Sequence, residues 1–165
     1  MIGEAPGYRG CAVTGVPFTS RRLFRADLGR WNLFAGAGFL VPAGRDGIAE
    51  PQSEATATVV WRTVVECLPA PPVVGNAFPF HPHPPHQPLK NRSITAAELD
   101  EGACYLRLLL AAFPSVTPIA VGRQAARILR TLGVAPGAAL RHPAHGGASA
   151  FSAGLRAVAL HFSTP

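Results

Sequence analysis

Charge is scarce in this chain: Asp, Glu, Lys and Arg make up only 15% of it, and a single lysine, Lys90, stands among fifteen basic residues. With 48% hydrophobic residues set against so little charge, neither a disordered polyelectrolyte nor a charge-laced coiled coil fits. Cysteine is equally thin. Cys11, Cys67 and Cys104 lie far apart with no C-x-x-C pair, which excludes a zinc ribbon, a disulfide framework and a four-cysteine iron–sulfur cluster, and suits a reducing cytoplasm. No apolar run approaches the ~20 residues of a membrane span, and no secretory leader precedes Gly3, so a soluble, cytoplasmic protein is expected. Also missing are G-x-x-x-x-G-K-[ST] and G-x-G-x-x-G, the two glycine patterns that most often cradle nucleotide phosphates.

Glycine and proline are abundant, 17 of each in 165 residues. A chain of this size forms one domain, residues 1–165, in which rigid loops join the regular elements; such a domain buries roughly 70% of its unfolded surface. The formal net charge of +6 favours a polyanionic partner, because each phosphate neutralised releases counterions. The first apolar segment, Met1-Ile2, is shorter than the ~5 residues usual for a strand, which suggests a start truncated upstream.

Apolar spacing near 3.6 predicts helices over Ser20–Leu28, with Ser20 as cap, over Glu54–Leu68, and over Arg123–Leu132. Thr95-Ala96-Ala97-Glu98 is a capping box that opens a helix to Phe113. Ser149 caps a last helix, or a helix followed by a strand, reaching Phe162. Short apolar runs bounded by breakers, Val73–Asn76, Pro118–Gly122 and Ala138–His142, read as buried strands. Trp31 to Gly47 reads as irregular. Four alternations of strand, loop and helix predict a three-layer α/β/α fold around a short, mostly parallel four-stranded sheet. Three polar residues, Glu4, Asn76 and His142, then fall just past strand carboxyl ends, where such sheets bind ligands.

Three loops carry a further pattern: Gly3-Glu4-Ala5-Pro6-Gly7 with Val16-Pro17-Phe18; Asn76 before the proline-rich run Phe78–Arg92; and His142-Pro143-Ala144. In that order they resemble the uracil-DNA glycosylase superfamily, most closely its branches with a Gly-Glu-Ala-Pro-Gly-like first motif. The resemblance implies a monomeric hydrolase, with neither metal nor other cofactor, that flips a deaminated base out of DNA and cuts its N-glycosidic bond in base excision repair. It assigns Glu4 to the attacking water and the cationic sugar, and His142 to the charge on the departing base. It gives Ala5, Phe18 and Asn76 to base binding, with Phe18 stacking and Asn76 reading the edge, and His145, Gly146 and Gly147 to DNA, while Arg123, at a predicted helix start beside the rim, is expected to contact DNA phosphate. With no lysine near the proposed centre to form a Schiff base, lyase activity is not expected.

The chain also departs from the family. Ala5 stands where the best-studied branch has a catalytic Asp, which moves the acidic role to Glu4. Gly7 replaces the bulky Tyr of the strictly uracil-specific branch and is expected to leave room at that edge of the base. The basic insert of a covalently trapping branch is absent. In the family a side chain after the histidine fills the space left by the flipped base; His145 is the nearest candidate here and Phe151 a more distant one. Two rival readings remain: a catalytically weakened DNA-binding member of the fold, and a nucleotide-binding α/β domain. His81, His83 and His86 sit on an extended, proline-broken support with no carboxylate or cysteine beside them, a poor start for a metal site and a better one for a loop that packs over the site mouth or contacts phosphate.

Overall fold

A computed structural model describes residues 1–25, 31, 33 and 53–162. The chain runs β1 (Ile2–Gly3), α1 (Cys11–Thr14), α2 (Arg21–Arg25), α3 (Ala55–Cys67), β2 (Gly75–Asn76), α4 (Ala96–Ala112), β3 (Ile119–Val121), α5 (Arg123–Thr131), β4 (Ala138–Leu140) and α6 (Ala148–Phe162). The four strands form one sheet in the order β2-β1-β3-β4, parallel throughout. That is the layered α/β fold expected.

Alternation along the strands sorts the core into two halves. Met1, Ile119, Val121 and Leu140 face α3 and α6, whose Val60, Trp61, Val64, Phe151 and Leu155 are buried there. Ile2 and Ala120 face the other way, onto Leu99, Ala103 and Leu106 of α4 and Ala125, Ile128 and Leu129 of α5. Side chains one apart in a strand point to opposite faces, so a two- or three-residue strand still feeds both layers.

The strands are shorter than the apolar runs suggested, yet pairing extends past them. Gly75 N–H donates to Met1 O at 3.0 Å, and Ala77 N–H to Gly3 O at 2.8 Å. Thr95 caps α4 in the expected capping box, its hydroxyl accepting from Glu98 N–H while the Glu98 carboxylate accepts from Thr95 N–H. Gly133, at φ 74°, ends the turn after α5, with Val134 N–H reaching back to Leu129 O at 2.9 Å.

Three local expectations are corrected. Ser20 does not cap α2, because its hydroxyl is buried without a hydrogen-bond partner. The last segment is a single helix, and Ser149 lies inside its first turn, since Phe151 N–H already bonds Gly147 O at 2.9 Å. The first loop is not all turn: it holds the one-turn helix α1, closed by Gly15 at φ 73°. The continuation of α2 towards Leu28 and the irregular segment up to Gly47 lie outside the described residues, Trp31 and Leu33 excepted.

Gly102 tests how closely α4 sits on the sheet. A Cβ there would run into the Ala77 carbonyl oxygen, with Phe78 Cα only 3.1 Å away. In an exposed helix Gly→Ala stabilises by ~1 kcal/mol through backbone entropy. Here α4 must lift off the backbone after β2, so Gly102→Ala is expected to destabilise by about 1–3 kcal/mol in urea denaturation.

Candidate active site

Glu4 follows β1 directly, and its backbone is pinned where Phe78 N–H donates to its carbonyl at 3.0 Å. Its side chain crosses to the next strand unit, where Oε1 accepts from Gln124 N–H at 3.0 Å in the first turn of α5. Gly122, at φ 99°, caps that helix, and a Cβ on it would collide with the Glu4 carboxylate. A carboxylate held at a helix N-terminus meets free backbone donors and the positive end of the helix dipole. Oε2 makes no hydrogen bond among the described residues and stays available.

His142 lies two residues beyond β4, within electrostatic reach of Glu4. Burial lowers its pKa below the ordinary 6.5, against the opposing pull of the Glu4 charge, with His145 and Arg141 adding to the lowering. Ala144 N–H donates to Nδ1 at 3.1 Å. Nδ1 therefore carries the lone pair and Nε2 the proton, which fixes one neutral tautomer with a single N–H to offer. The loop is tight because Gly147 lacks a side chain: a Cβ would strike His142 O.

Asn76 ends β2, paired in register with Gly3. A Cβ on Gly3 would lie 2.7 Å from both Asn76 Oδ1 and Phe18 Cζ, so the amide and the aromatic edge meet over the bare Gly3 backbone, one residue from Glu4. Four of the expected residues, Glu4, Phe18, Asn76 and His142, are thereby gathered at one rim of the sheet. Phe18 is also core: it is 7% exposed and packs in the α3–α6 half. Its φ of 58° is unusual for an aromatic, as is the 52° of His145.

Other assignments fare differently. Ala5 packs its methyl against the α4–α5 half of the core, so only its backbone is left for a base. Phe151 is fully buried and cannot fill a DNA gap. His145 and Gly146 are exposed at the tip of the loop, whereas Gly147 is buried behind them. Arg123 is exposed at the start of α5, in line with Arg127 and Arg130. The space expected beside Gly7 is taken: a Cβ would meet Glu54 Oε1 at 2.5 Å and Asn91 Nδ2 at 3.7 Å.

The Pro/His run is tied down over the first loop. His81 Nδ1 lies 2.9 Å from Pro6 O and its Nε2 3.1 Å from Pro88 O, while Tyr8 N–H donates to Asn91 Oδ1 at 3.1 Å. Among the described residues no group of three or more His, Cys, Asp or Glu is arranged to hold a metal ion.

Glu54 carries no site assignment in the sequence, which reads it only as the first residue of the helix running to Leu68. Its side chain makes no capping bond to α3 and turns instead under the first loop, against Gly7 and Gly10. Burial pushes its carboxyl up from 4.5 to about 7, and its charge, after burial, helps raise the Cys11 thiol to about 12. No family model matches the sequence, and a search of the curated proteins finds no match.

A carboxyl whose folded pKa is raised binds its proton more tightly in the folded state, so its contribution to stability is complete below pH 4.5 and is lost as pH rises to about 7. The full shift corresponds to on the order of 3 kcal/mol. Glu54→Gln is expected to flatten that part of the stability–pH curve in chemical denaturation at pH 4.5, 6 and 8.

Proposed function

We propose that the protein is a monofunctional DNA glycosylase of the cytoplasm that hydrolyses the N-glycosidic bond of uracil or a related deaminated base. The observation that carries this reading is the convergence, past the strand ends on one rim of the sheet, of the Glu4 carboxylate and the neutral His142 imidazole, on which the Glu4 charge acts, beside the Asn76 amide and the Phe18 ring.

The chemistry asks for that combination. As the C1′–N1 bond breaks, its electron pair leaves with the base, the sugar becomes oxocarbenium-like, and water adds to C1′ and gives up a proton. Glu4, with Oε1 held by Gln124 N–H, offers Oε2 to orient the water and balance the sugar's positive charge. His142 Nε2–H stabilises the negative charge growing on a base oxygen. Asn76 presents an acceptor and a donor side by side, matching the N3–H and O4 of uracil, whereas cytosine offers the reverse. DNA that holds such a base is the implied partner, and the positive charge is suitably placed. Arg123 lies at the rim, and a cleft of about 260 Å³ lined by Arg62, Ser149, Ser152 and Arg156 opens at the start of α6, directly after the His142 loop. Arg156 there is paired with Glu66 at 2.6 Å, whereas Arg62 makes no ion pair among the described residues and is the cation offered to a backbone phosphate.

The decisive assay is base release from a uracil-containing oligonucleotide, read as strand scission in alkali. Glu4→Gln and His142→Ala are each expected to lower kcat by about 10²–10³ with folding intact. Protonating Nδ1 would break its bond from Ala144 N–H, so the acid limb of activity should fall below pH 6.5, in the direction of the lowered His142 pKa. Release undiminished in both variants would overturn the assignment, and tight binding without release would favour a DNA-binding role. Arg62→Ala is expected to weaken binding alike for every sequence and to reduce the salt slope of log K by about 1.

A further inference from the structure

The Asn76 amide is useful for base recognition only if it cannot turn over. A carboxamide rotated by half a turn exchanges oxygen for nitrogen and would read cytosine as readily as uracil. The edge that pairs with a base uses the oxygen and the N–H beside it. The second N–H is spare, and its partner decides which way the group sits.

In this structure the partner is a sulfur. Asn76 Nδ2 donates to Cys11 Sγ at 3.7 Å, across 65 residues of sequence, while Oδ1 lies on the side of Gly3 and Phe18. Cys11 is 7% exposed and opens the one-turn helix α1. That helix is held in place from several sides. Gly7 O accepts from both Gly10 N–H and Ala12 N–H, at 3.1 and 3.2 Å, and Gly15 N–H closes on Cys11 O at 2.8 Å. A side chain at Gly10 would strike the Glu54 carboxylate and the Thr19 carbonyl.

We propose that Cys11 is a positioning residue that locks the Asn76 carboxamide in one orientation, and so sets the preference of the site for bases with a ring N–H beside a carbonyl over cytosine. The inference rests on the glycosylase reading given above. Cys11 touches no reacting atom in this scheme; it acts only through Asn76.

Two readouts test it. The first is the ratio of kcat/KM for uracil to that for cytosine in otherwise identical oligonucleotides. Cys11→Ala is expected to lower uracil release by about 3–10-fold, the effect of one ordinary hydrogen bond, and to narrow the uracil-to-cytosine ratio by a similar or larger factor. Cys11→Ser, which keeps an acceptor at that place, should restore most of the ratio even if it melts lower. The second is the Asn76 side-chain NH₂ signal in ¹⁵N NMR, expected to show restricted motion in the wild type and in Cys11→Ser and increased motion in Cys11→Ala. An unchanged ratio, or an Asn76 amide equally rigid without the sulfur, overturns the role of Cys11 and leaves the glycosylase reading standing. A wild type that releases no base from any lesion overturns the reading itself, and with it the inference.

Discussion

The contact between the Glu4 carboxylate and the first turn of α5 joins the two halves of the molecule's upper rim. Glu4 belongs to the unit that begins with β1, and Gln124 belongs to the unit that follows β3. Their bond at 3.0 Å spans 120 residues of sequence. It forms because Gly122 brings no side chain to the place the carboxylate occupies, and because a helix start leaves N–H groups unpaired. One interaction therefore ties the end of β1 to the start of α5, supplies an acceptor to the helix and fixes the acid. The Glu4 carboxylate and the start of α5 are coupled through that bond, and an isosteric Gln keeps an acceptor for Gln124 N–H while removing the charge.

Behind the first loop lies a second polar group, Glu54 and Cys11, which Cys11 joins to Asn76 at the rim, with Gly7 and Gly10 as the gaps that admit Glu54. Burying a carboxyl is costly, and the rise of its pKa to about 7 expresses that cost. Glycine at positions 7 and 10 does more here than relax the backbone. It opens the space in which an acid from the start of α3 reaches the underside of the first loop.

Much of this was legible in the sequence, for identifiable reasons. Helices α3, α4 and α5 follow from apolar spacing and from the Thr95–Glu98 box, because local energetics decide them. The positions of Glu4, Asn76 and His142 follow from the habit of parallel sheets of exposing strand ends on one rim. Glu54 was invisible because its partners are glycines, whose signature is a missing side chain that only the folded backbone can aim. The same holds for Cys11, which carries no motif and is defined by Asn76, a residue 65 positions away. Ser20 and Ser149 failed as caps because a buried hydroxyl and an existing Gly147 carbonyl bond, respectively, took precedence. Alternation also could not reveal how short the strands are, since both layers are served by two or three residues.

Backbone strain gives an independent view of the same region. Among the described residues only Phe18, His86 and His145 combine a side chain with positive φ. Such conformations cost of order 1–3 kcal/mol each and persist only where the surroundings over-determine them. Phe18 is held by burial in the core and by contact over Gly3, so its ring cannot relax without opening the α3–α6 layer. His145 has no such packing. It stands exposed at the apex of a loop whose base is fixed by Gly147 and by the Ala144–His142 bond. Phe18 and His145 thus differ in kind: Phe18 is a rigid wall beside Asn76 and Gly3, and His145 is a side chain presented outward on a stiff turn. On the proposed reading, a base drawn into the site would find that wall already in place, its ordering cost met in folding rather than at binding.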